Sequence, residues 1–496
     1  MRRRPLSRHL ELGASPRSGI SVKASQPHRA VTGRPEVNPI PASVRVPISH
    51  PMAAPAQSRS TRSDARQSTA DRMLLPSLSV RRPPLSVRRA MILAMPGNAA
   101  TPHALSVAGL FAGIGGVERG LQAAGMHTQL LCEWWEPAKA VLQHHFPDVE
   151  LHDDIQTLEA LPAVDIVTAG FPCTDLSQAG RTAGIHGAAS GMIKHLFKLL
   201  EEASPRWVVI ENVRNMLVLD RGTAMEYLVS QFERLGYTWA YRLVDSRFTG
   251  VPQRRQRVIL VASRRDDPRS VLLADDAGDL PEDHYREDAH GFYWTEGNTG
   301  LGWAQDAVPT LKGGSGLGIP SSPAIWIRDA APGRAIVTPT IEDAEALQGF
   351  PRGWTEPAQR QARGSLRWKL VGNAVTVGVA EWLGRRLSQP GIPLAAQSSP
   401  LPQGTRWPNA AWGKTGERWT VDLSLWPEKN TYQHLLDLVN ADAAVPLSLR
   451  ATTGFYNRLM KSRLRHPEPF ALALKSHIEH MADSVSSSTP TAATAR

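Results

Sequence analysis

Between Ala104 and Arg264 the chain repeats one pattern: a short apolar, β-rich run, a turn, then a stretch with helical spacing. The runs ALSVAGLF (104–111), TQLLCEW (128–134), VDIVTAGF (164–171), WVVIENV (207–213), YTWAYRLVD and QRVILVASR predict strands. GGVERGLQAAG, EPAKAVLQHHF, GMIKHLFKLLEEA and AMEYLVSQFERLG predict the helices between them. This alternation restricts the chain to an α/β fold, a Rossmann-like, doubly wound and mostly parallel sheet. Ligands of such sheets bind outside the carboxyl ends of the strands, so the chemistry is expected where each run stops.

The same pattern sets the boundaries. Residues 104–264 read as a catalytic and cofactor-binding domain, and 265–335 as an inserted, loop-rich lobe holding GFYWTEGNTGLGW and GGSGLG (313–318). Regular signal returns over 336–388, where Thr340 caps a helix with Asp343 three residues on and GNAVTVGVAEWLGRRL forms the last helix. A proline- and glycine-rich joint leads to 400–484, expected as a mainly helical extension with a tryptophan-rich start, and 485–496 reads as disordered.

Composition refines this picture. The net charge is +10, but Lys and Arg exceed Asp and Glu within residues 1–90 by more than that whole amount. The basicity therefore sits in a tail, 1–100, that reads as disordered and says little about the ligand of the body. Two readings of the tail stay open: a DNA-tethering arm, or sequence upstream of a start at Met91 or Met95. Two cysteines exclude a disulfide framework and point to a reducing, cytoplasmic setting. They also give no metal site, because the histidines show no ligand spacing beside them. No apolar run approaches the roughly 18 residues of a membrane span.

The strand ends carry the candidate residues. GLFAGIGG (109–116) is a strand running into a glycine turn, where backbone amides at a helix N-terminus approach a ligand closely. The next run stops at Glu133, a carboxylate placed to accept ribose hydroxyls, with Trp134 beside it to lie against an adenine. Cys173 follows the third run and precedes the polar, glycine-spotted TDLSQAGRTAG, which suits a lid better than a core. Glu211 of ENV ends the fourth run and QRRQR (253–257) opens a later one, so a thiolate, a carboxylate and arginines converge above the sheet.

Taken in order, FAGIGG, EW, GFPC, ENV, QRRQR, LQGFP and GNAV resemble the DNA (cytosine-5) methyltransferases over about residues 105 to 388. The resemblance implies S-adenosylmethionine as cofactor, double-stranded DNA as substrate, a flipped-out target base and a bacterial restriction-modification setting. It implies Cys173 as the nucleophile on cytosine carbon 6, Glu211 at ring nitrogen 3 and Asn212 positioning that loop. Arg257 would hold the carbonyl oxygen and Arg255 the pocket and backbone, with Pro172, Ser177, Gly180 and Gln253 completing the base pocket and lid. Phe111, Gly113, Gly115, Gly116, Glu133, Trp134, Asp154, Ile155 and Asn373 match the family's cofactor contacts. The 265–335 lobe stands where the family reads its target, and a separate restriction endonuclease and a monomeric enzyme are expected.

Two positions depart from the family. An acidic residue usually stands two before the phenylalanine of FAGIGG, where this chain has Gly109, and the usual glutamine after the nucleophile is Thr174. Three rivals remain: a transfer RNA cytosine methyltransferase of the same family, a catalytically dead DNA-binding homologue, and a Rossmann oxidoreductase. The last lacks its G-x-G-x-x-G spacing here.

Overall fold

The computed structural model describes residues 104–171, 188–298, 300–313, 322–361, 365–394 and 398–488. The tail 1–100 lies outside these residues, as does most of GGSGLG. The predicted runs fold as β1 (Ser106–Leu110), β2 (His127–Cys132), β4 (Ile166–Ala169), β5 (Trp207–Val213), β6 (Thr238–Asp245) and β8 (Gln256–Ser263), and two short strands that the pattern did not predict join them, β3 (Glu150–His152) and β7 (Gln253–Arg254). Strand β2 stops at Cys132, so Glu133 is the first residue beyond it rather than its last. Helices α1 (Gly116–Ala123), α2 (Glu136–His145), α3 (Ala188–Ala203) and α4 (Thr223–Arg234) connect the strands.

The strands β3, β2, β1, β4 and β5 lie side by side in that order, all parallel. Beyond β5 the sheet changes direction. Strand β8 inserts antiparallel between β5 and β6, so the expected mostly parallel sheet is a parallel half joined to an antiparallel half. An apolar run reports that a strand is buried on both faces but not its direction or its neighbours.

Both faces are covered, as the doubly wound arrangement requires. On one face Ile193, Leu196 and Phe197 of α3 and Leu228 and Phe232 of α4 pack on Val167, Val208 and Leu260. On the other, Leu121 of α1 joins Val379, Trp382 and Leu383 of α7 (Val377–Ser388) over Val107, Val209 and Val261. Helices α1 and α7 cross closely, because a Cβ at Gly120 would lie 2.5 Å from the Val377 carbonyl oxygen. The expected cap is present: Thr340 and Asp343 form a reciprocal capping box at the start of α5 (Ile341–Leu347), and α6 (Ser365–Asn373) follows before α7.

The inserted lobe is a second sheet, built on β9 (Ala289–Phe292), β10 (Ala304–Gln305), β12 (Ala324–Ile327) and β13 (Ile336–Thr338), while β11 (Val308–Pro309) pairs with β7. It outruns the expected 265–335 boundary, because β13 lies beyond it and β17 (Val445–Pro446) adds a further strand.

The C-terminal stretch differs most from expectation. It opens with three strands, β14 (Ser398–Pro400), β15 (Ala410–Lys414) and β16 (Glu417–Val421), which extend the large sheet from β6. Thr415 and Gly416 both take positive φ, the two-residue hairpin turn that lets β15 and β16 pair, with Trp412 and Trp419 stacked 4.0 Å apart across it. Helices α8 (Leu449–Lys461) and α9 (Glu468–Ser488) then pack Phe455, Phe470 and Leu474 onto Phe292 and Trp326 of the second sheet. Helix α9 continues through Ser488, so residues 485–488 are helical rather than disordered.

Candidate active site

A cleft of about 1060 Å³ runs along the carboxyl ends of the parallel strands, from the glycine turn after β1 to the end of β5. Single-ligand pockets usually span roughly 300–1,000 Å³, so this one has room for more than a small nucleoside.

One end is built from the first glycine turn. Phe111, Gly113 and Gly115 all have positive φ, which folds the backbone tightly between β1 and α1. Glu133 pins this turn: one carboxylate oxygen accepts from the Gly113 amide at 2.8 Å, and the other from the Trp135 amide at 2.8 Å. Burial raises the Glu133 pKa, and the amides of Trp135, Gly113 and Trp134 pull it back down. Trp134 stands beside it at 71% exposure, an unusual state for so large an apolar ring unless a ligand or partner covers it. Gly116 lets the returning chain close over the turn, since a Cβ there would lie 2.7 Å from the Val375 carbonyl oxygen. Asn373, just before that return, lines the cleft with Phe111, Gly113 and Gly116.

Three expected cofactor residues do not line it. Gly115 serves packing, because a Cβ there would lie 2.5 Å from the Phe146 ring. Asp154 caps a short helical turn by accepting from the Gln156 amide, and Ile155 is buried in the core.

The other end joins β5 to β8. Val213 lies opposite Arg257 in the antiparallel register, so Glu211, two residues back on the same face, meets Arg257 diagonally. The Arg257 Nε to Glu211 Oε1 distance is 2.7 Å. Burial pushes the Arg257 guanidinium below its ordinary value, and Glu211 opposes that shift. Asn212 is buried; its Nδ2 donates to the Phe171 carbonyl at 2.9 Å and its Oδ1 accepts from the Val213 amide. It thereby ties the end of β5 to the backbone two residues before Cys173.

Cys173 itself, with Pro172, Ser177 and Gly180, lies outside the described residues. The other cysteine is no rival. Burial, then the neighbouring carboxylates of Glu133, Asp154 and Asp153, pushes the Cys132 thiol up to about 12. It therefore holds almost no thiolate at neutral pH.

Gln253 and Arg255 face away from the cleft. Gln253 is fully buried, donating to the Leu347 carbonyl and the Gln348 side chain and accepting from the Leu311 amide. Arg255 donates to the carbonyls of Leu311, Gly372 and Ala374, clamping the inserted lobe to the returning chain; burial pushes its guanidinium well below the ordinary value. Pairing breaks at Arg255, between β7 and β8, which puts Arg254, Gln256 and Arg257 on the cleft instead of every second residue.

Several lining residues carried no signal of their own in the sequence. Lys369, 4.6 Å above the Trp135 ring, brings positive charge to the rim, while Lys312, which caps the Tyr293 ring, is paired with Glu296. Glu118 and Thr168 lie on the floor between the two ends.

Residues 105–292 match the family model described as C-5 cytosine-specific DNA methylase. Over 367 residues the chain is 46% identical to the Type II methyltransferase M2.BsuMI of Bacillus subtilis (strain 168), spanning 71% of this chain and 93% of that protein. It is 27% identical over 309 residues to the Type II methyltransferase M.Bsp6I of Bacillus sp. (strain RFL6), 55% of this chain and 96% of the relative. The Type II methyltransferase M.HhaI of Haemophilus parahaemolyticus matches at 29% over 158 residues, 32% of this chain and 48% of its own length.

Proposed function

This chain belongs to the C-5 cytosine-specific DNA methylase family, and from that premise we propose that it methylates cytosine in duplex DNA through a covalent adduct on Cys173, with S-adenosylmethionine as donor. The observation that carries the reading is the Glu211–Arg257 pair at one end of the cleft, with Asn212 holding the Phe171 carbonyl beside it.

Attack by the Cys173 thiolate on carbon 6 turns carbon 5 of the ring into an enamine-like nucleophile. Glu211 at ring nitrogen 3 favours protonation as the adduct forms, and Arg257, held by Glu211, offers its remaining N–H groups to the carbonyl oxygen. Asn212 keeps the segment leading into Cys173 against the end of β5. Once carbon 5 has bonded the methyl group, loss of its proton to solvent restores the 5,6 double bond and expels the Cys173 thiolate.

The donor, when bound, supplies its methyl group as an electrophile on a positively charged sulfur. The other end of the cleft suits it: a buried carboxylate for ribose hydroxyls at Glu133, an exposed aromatic face at Trp134, and a cradle at Gly116 that a Cβ would fill. The second lobe, whose residues 310–313 form the opposite wall, would read the target sequence from the major groove. A restriction-modification role with a separate endonuclease, and action in the cytoplasm, follow from the same reading. No helix among the described residues is long and apolar enough to cross a membrane.

The test is DNA carrying 5-fluorocytosine at the target, from which fluorine cannot leave as a proton does. A stable protein–DNA adduct should accumulate with the donor present and map to Cys173. Cys173→Ser should bind duplex DNA but neither form the adduct nor turn over. Normal turnover by that variant, or preference for transfer RNA over duplex DNA, would overturn the reading.

A further inference from the structure

We propose that Glu118 is a second ligand-binding carboxylate, which reaches from α1 into the space left free at Gly109 and receives the ammonium group at the amino-acid end of the methyl donor. The assignment rests on the methyl-donor reading of the cleft given above.

The first observation is steric. A Cβ built at Gly109 of β1 would collide with Glu118 Oε1. The side chain of Glu118 therefore occupies the volume that any residue at 109 other than glycine would claim. The chain delivers its carboxylate from the helix instead of from the strand.

The second observation is an unmet polar group. Glu118 is 1% exposed; its Oε1 accepts from the Thr168 hydroxyl at 3.2 Å, and its Oε2 has no hydrogen-bond partner among the described residues. A buried carboxyl oxygen without a donor is costly, and in a native structure it calls for an explanation. Here the explanation is supplied by position, because Glu118 lines the cleft.

The third is the order of the strands. Glu133 follows β2 and Glu211 lies two residues before the end of β5, and the strands between them are β1, which carries Gly109, and β4, which carries Thr168. Glu118 thus sits between the nucleoside end and the base end. The donor joins its nucleoside to its amino-acid chain at the reacting sulfur, so a carboxylate at this middle position meets the cationic chain. Charge-assisted hydrogen bonds from an ammonium are the strong kind.

Burial also pushes the Glu118 pKa up to about 7, against the pull of its own backbone amide and the Thr168 hydroxyl, with Glu133 adding to the rise. From the packed elements, β1 brings Gly109 and β4 brings Thr168, neither of which titrates, and Glu133 is the charged neighbour. An ammonium bound there favours the ionised acid, so affinity for the donor should rise from pH 6 to pH 7.5 as the free protein gives up this proton.

Calorimetry with two ligands tests the assignment: S-adenosylmethionine, and 5′-methylthioadenosine, which lacks the amino-acid chain. Glu118→Gln should weaken S-adenosylmethionine about tenfold or more, since a hydrogen bond to a charged group is lost. It should leave 5′-methylthioadenosine within about twofold and flatten the rise with pH. The double variant Gly109→Asp/Glu118→Ala returns a carboxylate to the same space from the strand, and should recover most of the lost affinity. Unchanged S-adenosylmethionine affinity in Glu118→Gln, or equal losses for both ligands, would overturn the assignment. Wild-type protein that binds neither ligand would instead overturn the methyl-donor reading, and this assignment with it.

Discussion

Replacing Glu211 with glutamine keeps the volume of the side chain and removes its charge, which leaves the Arg257 guanidinium without its anion. The pair is close and largely dry: 2.7 Å between Nε and Oε1, with side chains 9% and 14% exposed for Arg257 and Glu211. Breaking such a pair from one side costs about 3–5 kcal/mol, because the remaining charge stays buried. The other described partner of Arg257 is the Gln256 carbonyl, which cannot neutralise it. Glu211→Gln should therefore lose about 3 kcal/mol in urea denaturation, and kcat on duplex DNA should fall about 10²–10⁴-fold as the proton at ring nitrogen 3 loses its partner. Arg257→Met should cost a similar amount of stability from the other side. Combining the two substitutions removes both charges, so the double variant should regain most of the stability while staying inactive. That dissociation is the discriminating result. If the double variant instead loses the sum of the two single losses, the residues are not one electrostatic unit. If Glu211→Gln keeps normal kcat, the acid assigned to the base end is wrong.

Two further outcomes follow from the same structure. Glu133→Ala should raise the dissociation constant for S-adenosylmethionine at least about tenfold, or about 1.4 kcal/mol, by calorimetry; unchanged affinity would mean the carboxylate serves only the Gly113 and Trp135 amides. Truncation after Leu394 should yield aggregated protein, because it strips β15 from β6 and uncovers Phe292 and Trp326 in the second sheet; a soluble, active truncated enzyme would refute the packing argument.

Four of the five strands of the parallel half, β1, β2, β4 and β5, were legible because each ends in an apolar run closed by a turn, and the polar residues at those ends mark the cleft; β3, three residues of mixed exposure, was not. Glu133, Glu211 and Asn212 were found in this way. The cap at Thr340 was legible because its two partners are three residues apart and need nothing distant. Other features depend on partners far away in sequence. The antiparallel insertion of β8 is decided by pairing, not by the apolar pattern of the strand itself. Gln253 and Arg255 alternate with Arg257 on paper, but the break in pairing at Arg255 turns the first two toward Leu311, Leu347 and Gly372. Glu118 carried no signal in the sequence, because the space at Gly109 that its carboxylate fills is set by the packing of α1 on β1. The C-terminal strands hid behind a Thr-Gly turn, whose threonine is an uncommon choice for positive φ.

The path of the C-terminal stretch has a consequence for building chimeras. It contributes three strands to one sheet, then an edge strand and the aromatic lining of the other. Grafting the second lobe from a relative as the single cassette 265–335 would leave its new sheet facing the old Phe455, Phe470 and Leu474. A working graft has to carry two separated pieces of chain, one on each side of the returning helix α7, and the donor's hydrophobic contacts must travel with both.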